Sequence, residues 1–115
     1  MHIPEAKCKC FIPPFYFKDY IETYLGKDTT HGRYADVTLC TCIHCGTKWL
    51  HYLVEYEAFS RSGRWYKGII TDKELPQIDP ENAVVYLENL EWYIYGGFWF
   101  SSAGQYGKGK MQVDM

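Results

Sequence analysis

Cysteines occupy positions 8, 10, 40, 42 and 45 of this 115-residue chain, and the last two enclose the turn Cys42-Ile43-His44-Cys45-Gly46. An odd number of cysteines argues against a pure disulfide framework, and reduced thiols clustered in this way point to a metal. A C-x-x-C turn lets two thiolates converge on one ion, while the glycine after it relieves the tight backbone. On an extended strand Cys40 and Cys42 point to the same face, so Cys40 also approaches the turn. The start Met1-His2-Ile3-Pro4-Glu5 lacks the basic residues and apolar stretch of a signal peptide. No run approaches the roughly 18 apolar residues of a membrane span. A soluble cytoplasmic protein is expected, in which the thiols stay reduced.

The Cys42 to Gly46 turn resembles the knuckle of zinc-ribbon and rubredoxin-like proteins. The resemblance covers that turn and its flanking strands. It implies a second cysteine pair from elsewhere in the chain, for which Cys8-Lys9-Cys10 is the candidate. Cys8, Cys10, Cys42 and Cys45 would then hold zinc through four thiolates at about 2.3 Å, with Cys40 as the rival, a buried neighbour or alternate ligand. His44 sits inside the turn, with its ring directed to solvent. Iron is the alternative metal, since rubredoxin-like iron also takes four thiolates. Four cysteines leave no open position for water, so the zinc is expected to be structural.

The composition, 47% hydrophobic and 18% aromatic, is that of a chain that folds, and its length fits one domain over residues 1–115. After Pro13-Pro14, the recurrence of Phe17, Tyr20, Ile21, Tyr24 and Leu25 predicts a short helix over about 15–25, stopped by Gly26. Strands are predicted over 36–42 and 47–59, with 64–71 returning as a hairpin partner. In the second strand Leu50, Tyr52, Val54, Tyr56 and Ala58 form the buried face. Trp49, His51, Leu53, Glu55 and Glu57 form a mixed one.

Asp79 as N-cap, Pro80, Glu81 and a stop at Gly96-Gly97 predict a helix over about 80–95 with the stripe Ala83, Leu87, Leu90 and Ile94. Phe98-Trp99-Phe100 reads as a short further strand, and the Gly-rich tail from about 101 reads as mobile. The fold class is then α+β: a small antiparallel sheet of three or four strands packed against a C-terminal helix, with a short N-terminal helix and a zinc knuckle.

A net charge of −2 and a pI near 6.0 argue against a general nucleic-acid binder. The expected function is a non-enzymatic zinc-binding protein-interaction module. In broad character the chain is similar to small bacterial immunity proteins, which neutralise a toxin by occluding its active surface. That comparison implies that Glu55, Glu57, Glu88 and Glu91 complement basic toxin surface, with aromatic anchors beside them. The alternative is a nucleic-acid-binding zinc-ribbon-like protein using Arg61, Arg64, Trp65 and Lys67 at a hairpin tip. An enzyme is not expected, because residues two apart on a strand are about 7 Å apart and His51, Glu55 and Glu57 read as a wet face. Gly104 to Lys110 spells the start of a phosphate-binding loop. Met111 stands where that loop needs a hydroxyl, so the match is accidental.

Overall fold

The computed structural model describes residues 8–11, 17–30, 34–54, 64–96 and 104–111. Its centre is one antiparallel sheet of six strands in the order β1-β2-β3-β4-β5-β6, so that each strand pairs with its sequence neighbours. The strands are β1 (Tyr20–Asp28), β2 (Ala35–Cys42), β3 (Lys48–Val54), β4 (Arg64–Ile69), β5 (Tyr93–Gly96) and β6 (Gln105–Gly107). A single helix, α1 (Ala83–Glu88), is described, together with 3-10 turns at Lys9–Phe11, Phe17–Asp19 and Leu75–Gln77. The protein is therefore a sheet-rich meander, which overturns the α+β expectation of a three- or four-stranded sheet under a long C-terminal helix.

Both misread helices contain strands, for identifiable reasons. Tyr20, Ile21, Thr23 and Tyr24 are aromatic or β-branched and suit a pleated surface. They pair with β2 in the register Tyr20↔Cys42 to Tyr24↔Thr38. Gly26, expected as a helix stop, instead follows a bulge, where the register shifts between Tyr24 and Gly26. Its φ of 132° is accessible to glycine, and a Cβ there would stand 3.0 Å from Pro80 Cγ.

In the second case Asp79 and Asn82 exchange side-chain-to-backbone hydrogen bonds, each 2.9 Å, and close a turn. Helical structure begins only at Ala83 and stops at Glu88, after which Tyr93–Gly96 enters the sheet. The sheet separates the two ends of the expected stripe. Leu87 packs in one core cluster and Ile94 in the other, across the sheet.

Strand alternation generates those two clusters. Val37, Leu39, Leu50, Tyr52, Val54, Tyr66 and Tyr93 meet Ile78, Ala83, Val84 and Leu87 on the helix side. On the other side, Cys40, Cys42, Trp49, Trp65 and Ile94 lie beneath Cys10 and Phe11. The described part of the face expected to be wet is thus buried too: Trp49 and Trp65 have no exposed surface, and His51 is 9% exposed. An N-terminal arm and the aromatic side chains of Trp92 and Tyr106 cover it. Glu55, Glu57, Tyr56 and Ala58, the strand proposed at 98–100 and the two ends of the tail, 101–103 and 112–115, lie outside the described residues, whereas β6 falls within that tail.

Gly68 shows how closely the helix side is packed. A Cβ at this position would lie 2.3 Å from Leu90 Cδ1 and 2.8 Å from Leu87 Cδ2. Gly68→Ala is expected to destabilise the protein by about 1–3 kcal/mol through overpacking. Urea unfolding measures this, and a change below about 0.5 kcal/mol, the usual range for a neutral surface substitution, would contradict the seating of Leu87 and Leu90 on β4.

Candidate metal centre

The turn between β2 and β3 is built around Cys42. Its N–H donates to the Thr47 carbonyl at 2.9 Å, and the Gly46 N–H returns to the Cys42 carbonyl at 2.9 Å. Gly46 takes a φ of 77°, a left-handed value that a side chain would strain. The turn presents its N–H groups to sulfur. Burial raises Cys42, whereas hydrogen bonds from the backbone N–H groups of His44 and Cys45 lower it, and the net position stays above an ordinary thiol. At the exposed Cys45, burial raises the thiol, but the Thr47 hydroxyl and backbone N–H, then the Cys10 and Cys8 thiols, bring it down to about 6. The Thr47 hydroxyl lies 3.2 Å from the Cys45 sulfur.

The second half comes from the N-terminal arm. Its 3-10 turn, closed by the Phe11 N–H to the Cys8 carbonyl at 3.0 Å, sends two cysteines toward the knuckle. Cys8 Sγ lies 3.6 Å from Cys42 Sγ, and Cys10 Sγ lies 3.6 Å from Cys45 Sγ. All four sulfurs lie within 4.8 Å of one another. Phe11 anchors the arm, with its ring edge-on to Trp49 at 5.1 Å and its carbonyl accepting from the Tyr106 hydroxyl at 2.5 Å.

Such a set suits a soft or borderline cation. A tetrahedron with metal–sulfur bonds of about 2.3 Å has edges of about 3.8 Å, close to the 3.6 Å separations across the two halves. The buried indole N–H of Trp49 lacks an oxygen or nitrogen acceptor among the described residues and instead pulls Cys10 toward its thiolate. Burial dominates at Cys10, however, and holds that thiol well above its ordinary range. Loading a cation therefore displaces protons from Cys10 and Cys42, so metal affinity rises with pH.

Cys40 stays apart from this group. It opposes Trp49 across the β2/β3 ladder, is 8% exposed, and has its thiol pushed up to about 12 by burial and the nearby Glu22 charge. One strand repeat of about 7 Å separates it from Cys42. His44 also turns away from the sulfurs. Its Nε2 lies 3.1 Å from Asp19 Oδ1, an interaction that ties the knuckle to the start of β1 beside the Ile43 N–H to Asp19 carbonyl bond of 2.9 Å.

Of the binding candidates Arg61, Arg64, Trp65, Glu55 and Glu57, only Arg64 and Trp65 lie within the described residues. Arg61, Glu55 and Glu57 lie outside the described residues, Arg64 is half-buried, and Trp65 is fully buried. Trp65 stacks on His51 with ring centroids 6.3 Å apart, so it is not presented to a base or a partner. Burial, with the Lys67 charge adding to it, pushes His51 down to about 4. Glu88 has an internal task, as its carboxylate accepts the Met111 N–H at 2.8 Å.

Sequence reasoning missed Thr47, Trp49 and Lys67. Thr47 carried a local signal, two residues beyond the second cysteine of the turn. Trp49 and Lys67 carried none, because their closeness to the sulfurs comes from sheet register and from the arm. Burial pushes the Lys67 ammonium down to about 7, against the pull of the Cys10, Cys40, Cys42 and Cys45 sulfurs. Among the described residues, no helix is long and apolar enough to cross a membrane. Comparison of the chain with protein-family models, with curated proteins and with solved structures finds no match.

Proposed function

We propose that this chain is a non-enzymatic protein-interaction module whose fold is closed by one zinc ion on Cys8, Cys10, Cys42 and Cys45. The observation that carries the metal is the approach of four thiol sulfurs to within 4.8 Å, from segments more than thirty residues apart in sequence. Four thiolates complete a tetrahedron and leave no position for a water nucleophile, which suits a structural ion. Thiolate donors favour zinc or iron over magnesium or calcium, and zinc takes this geometry without redox chemistry. The arm and knuckle belong to one side of the sheet, so the ion acts as a clip between them.

An interaction role draws support from large side chains left in solvent. Ile21 and Tyr24 on β1 and Tyr34 before β2 are 64%, 57% and 64% exposed. Aromatic residues of this kind are enriched at interfaces. A toxin neutralised in the manner of an immunity protein is the partner class that an acidic, aromatic domain suits. The nucleic-acid reading draws no such support, since Trp65 and Lys67 are both buried.

Elemental analysis of protein purified without added metal tests the first part. About one equivalent of zinc is expected. Less than a substantial fraction of an equivalent of any metal would end the metal reading, and a red iron-loaded protein would replace zinc by iron. Affinity capture from the native host tests the second, with a stoichiometric protein partner expected. Capture of nucleic acid, with binding that weakens steeply in salt, would displace it.

A further inference from the structure

Lys67 lies at the middle of β4 opposite His51, on the side of the sheet that the arm covers, and is 2% exposed. Its Nζ donates to the Cys10 carbonyl at 3.3 Å and to the Tyr20 hydroxyl at 2.5 Å. It also lies 4.4 Å from the ring centroids of both Tyr20 and Trp49. The ammonium thus touches three components of the centre's surroundings: the backbone of one cysteine, the strand beside Cys42, and the indole beside Cys10.

A divalent ion with four thiolates carries a net charge of −2. The N–H groups of the knuckle and of Trp49 offer that charge partial dipoles, whereas the Lys67 side chain, when protonated, offers a full unit of opposite sign. Aromatic surroundings screen the attraction less than water does. We propose that Lys67 is the internal counter-cation of the four-cysteine centre, setting how tightly the centre holds a metal and how easily a redox-active metal there changes oxidation state. The inference rests on the reading of Cys8, Cys10, Cys42 and Cys45 as ligands. It makes Lys67 a positioning residue, acting through the ligands without joining them.

The full-length chain tests this with two substitutions, Lys67→Gln, which keeps a donor for the Cys10 carbonyl but loses the charge, and Lys67→Arg, which keeps the charge. Zinc affinity is read by competition with a chromophoric chelator, and the iron-loaded protein supplies a midpoint potential. Loss of the charge that contacts the Cys10 carbonyl, at an effective dielectric of about 20, is expected to weaken zinc binding in Lys67→Gln on the order of 10- to 100-fold. The iron potential should fall, because the departing cation had favoured the dianionic Fe(II) centre over the monoanionic Fe(III) one.

Mere loosening of the packing would act in the opposite direction, since admitted water stabilises the more highly charged Fe(II) form and raises the potential. A raised or unchanged potential, or zinc affinity within about twofold of the parent chain, overturns the proposal, given that each tenfold change corresponds to a fixed free-energy step. Lys67→Arg is expected to stay close to the parent in both measurements. Lys67→Met is read in the same way if Lys67→Gln does not fold. Failure of the parent chain to bind either metal overturns the ligand reading itself, and is thereby distinct from failure of the Lys67 inference alone.

Discussion

Removal of the metal by a chelator is expected to lower the unfolding midpoint by 10 °C or more, roughly the consequence of losing even 3 kcal/mol in a domain of this size. Structural zinc sites contribute apparent binding free energies of about 10–16 kcal/mol, against a total stability of about 5–15 kcal/mol for an ordinary domain. The loss should begin at the arm. Residues 8–11 are tied down by the sulfurs, by the Phe11 ring on Trp49, and by hydrogen bonds from Tyr106 and Lys67 to arm carbonyls. Without the ion those remaining contacts must hold the arm alone.

Release of the arm uncovers Trp49 and its neighbours, so tryptophan emission should shift to the red and hydrogen exchange should accelerate first in the arm and knuckle. Cys45→Ser is expected to reproduce the chelated behaviour, whereas Cys40→Ser retains the metal, since Cys40 lies outside the group of four. Metal-stripped protein melting within about 2 °C of the loaded form, a shift of well under 1 kcal/mol, would show that the centre does not hold the arm.

Trp49→Ala is expected to cost about 3–5 kcal/mol, the range for removing a large buried aromatic residue. Trp49 is fully buried on β3, edge-on to Phe11 at 5.1 Å and to Trp92 at 6.0 Å, with Lys67 Nζ 4.4 Å from its ring centroid. Its removal leaves a cavity under the arm and takes away the N–H that Cys10 faces. The substitution therefore acts on core and centre together. Trp49→Phe separates the two effects, because it restores most of the ring packing without the N–H. Urea unfolding should show Trp49→Phe recovering much of the stability lost in Trp49→Ala, while chelator competition still finds weaker metal binding than in the parent. Equal metal affinity in Trp49→Phe and the parent would show that the indole N–H does nothing for the Cys10 sulfur.

Several features of this architecture were legible residue by residue. The C-x-x-C-G spacing identified the knuckle, because a tight turn needs a glycine where Gly46 takes a positive φ. Extended and β-branched or aromatic patterns located β2, β3 and β4, with the predicted continuation of β3 over 55–59 lying outside the described residues, since strand signals are local. The helical stripes at 15–25 and 80–95 failed because spacings of three and four also arise in aromatic strand sequence, and short runs do not distinguish the two. Gly26 and the Asp79-Pro80 pair were ambiguous for a related reason. Glycine serves a bulge as readily as a helix end, and a capping residue can close a turn that does not continue as a helix.

What the sequence by itself determined, then, is the local chemistry: five thiols, one C-x-x-C-G turn, three central strands and an aromatic content larger than a small core readily encloses. Only the tertiary structure decided that the central strands are covered on both faces, and with them the fate of Trp65, His51 and Lys67. Alternation shows that Trp49, His51 and Lys67 share a face, but not whether solvent or another segment meets that face. The answer comes from a return of the chain across more than thirty residues, where Cys8 and Cys10 reach Cys42 and Cys45. Such long-range closure depends on packing and on sulfur geometry in three dimensions, neither of which a residue's sequence neighbours encode.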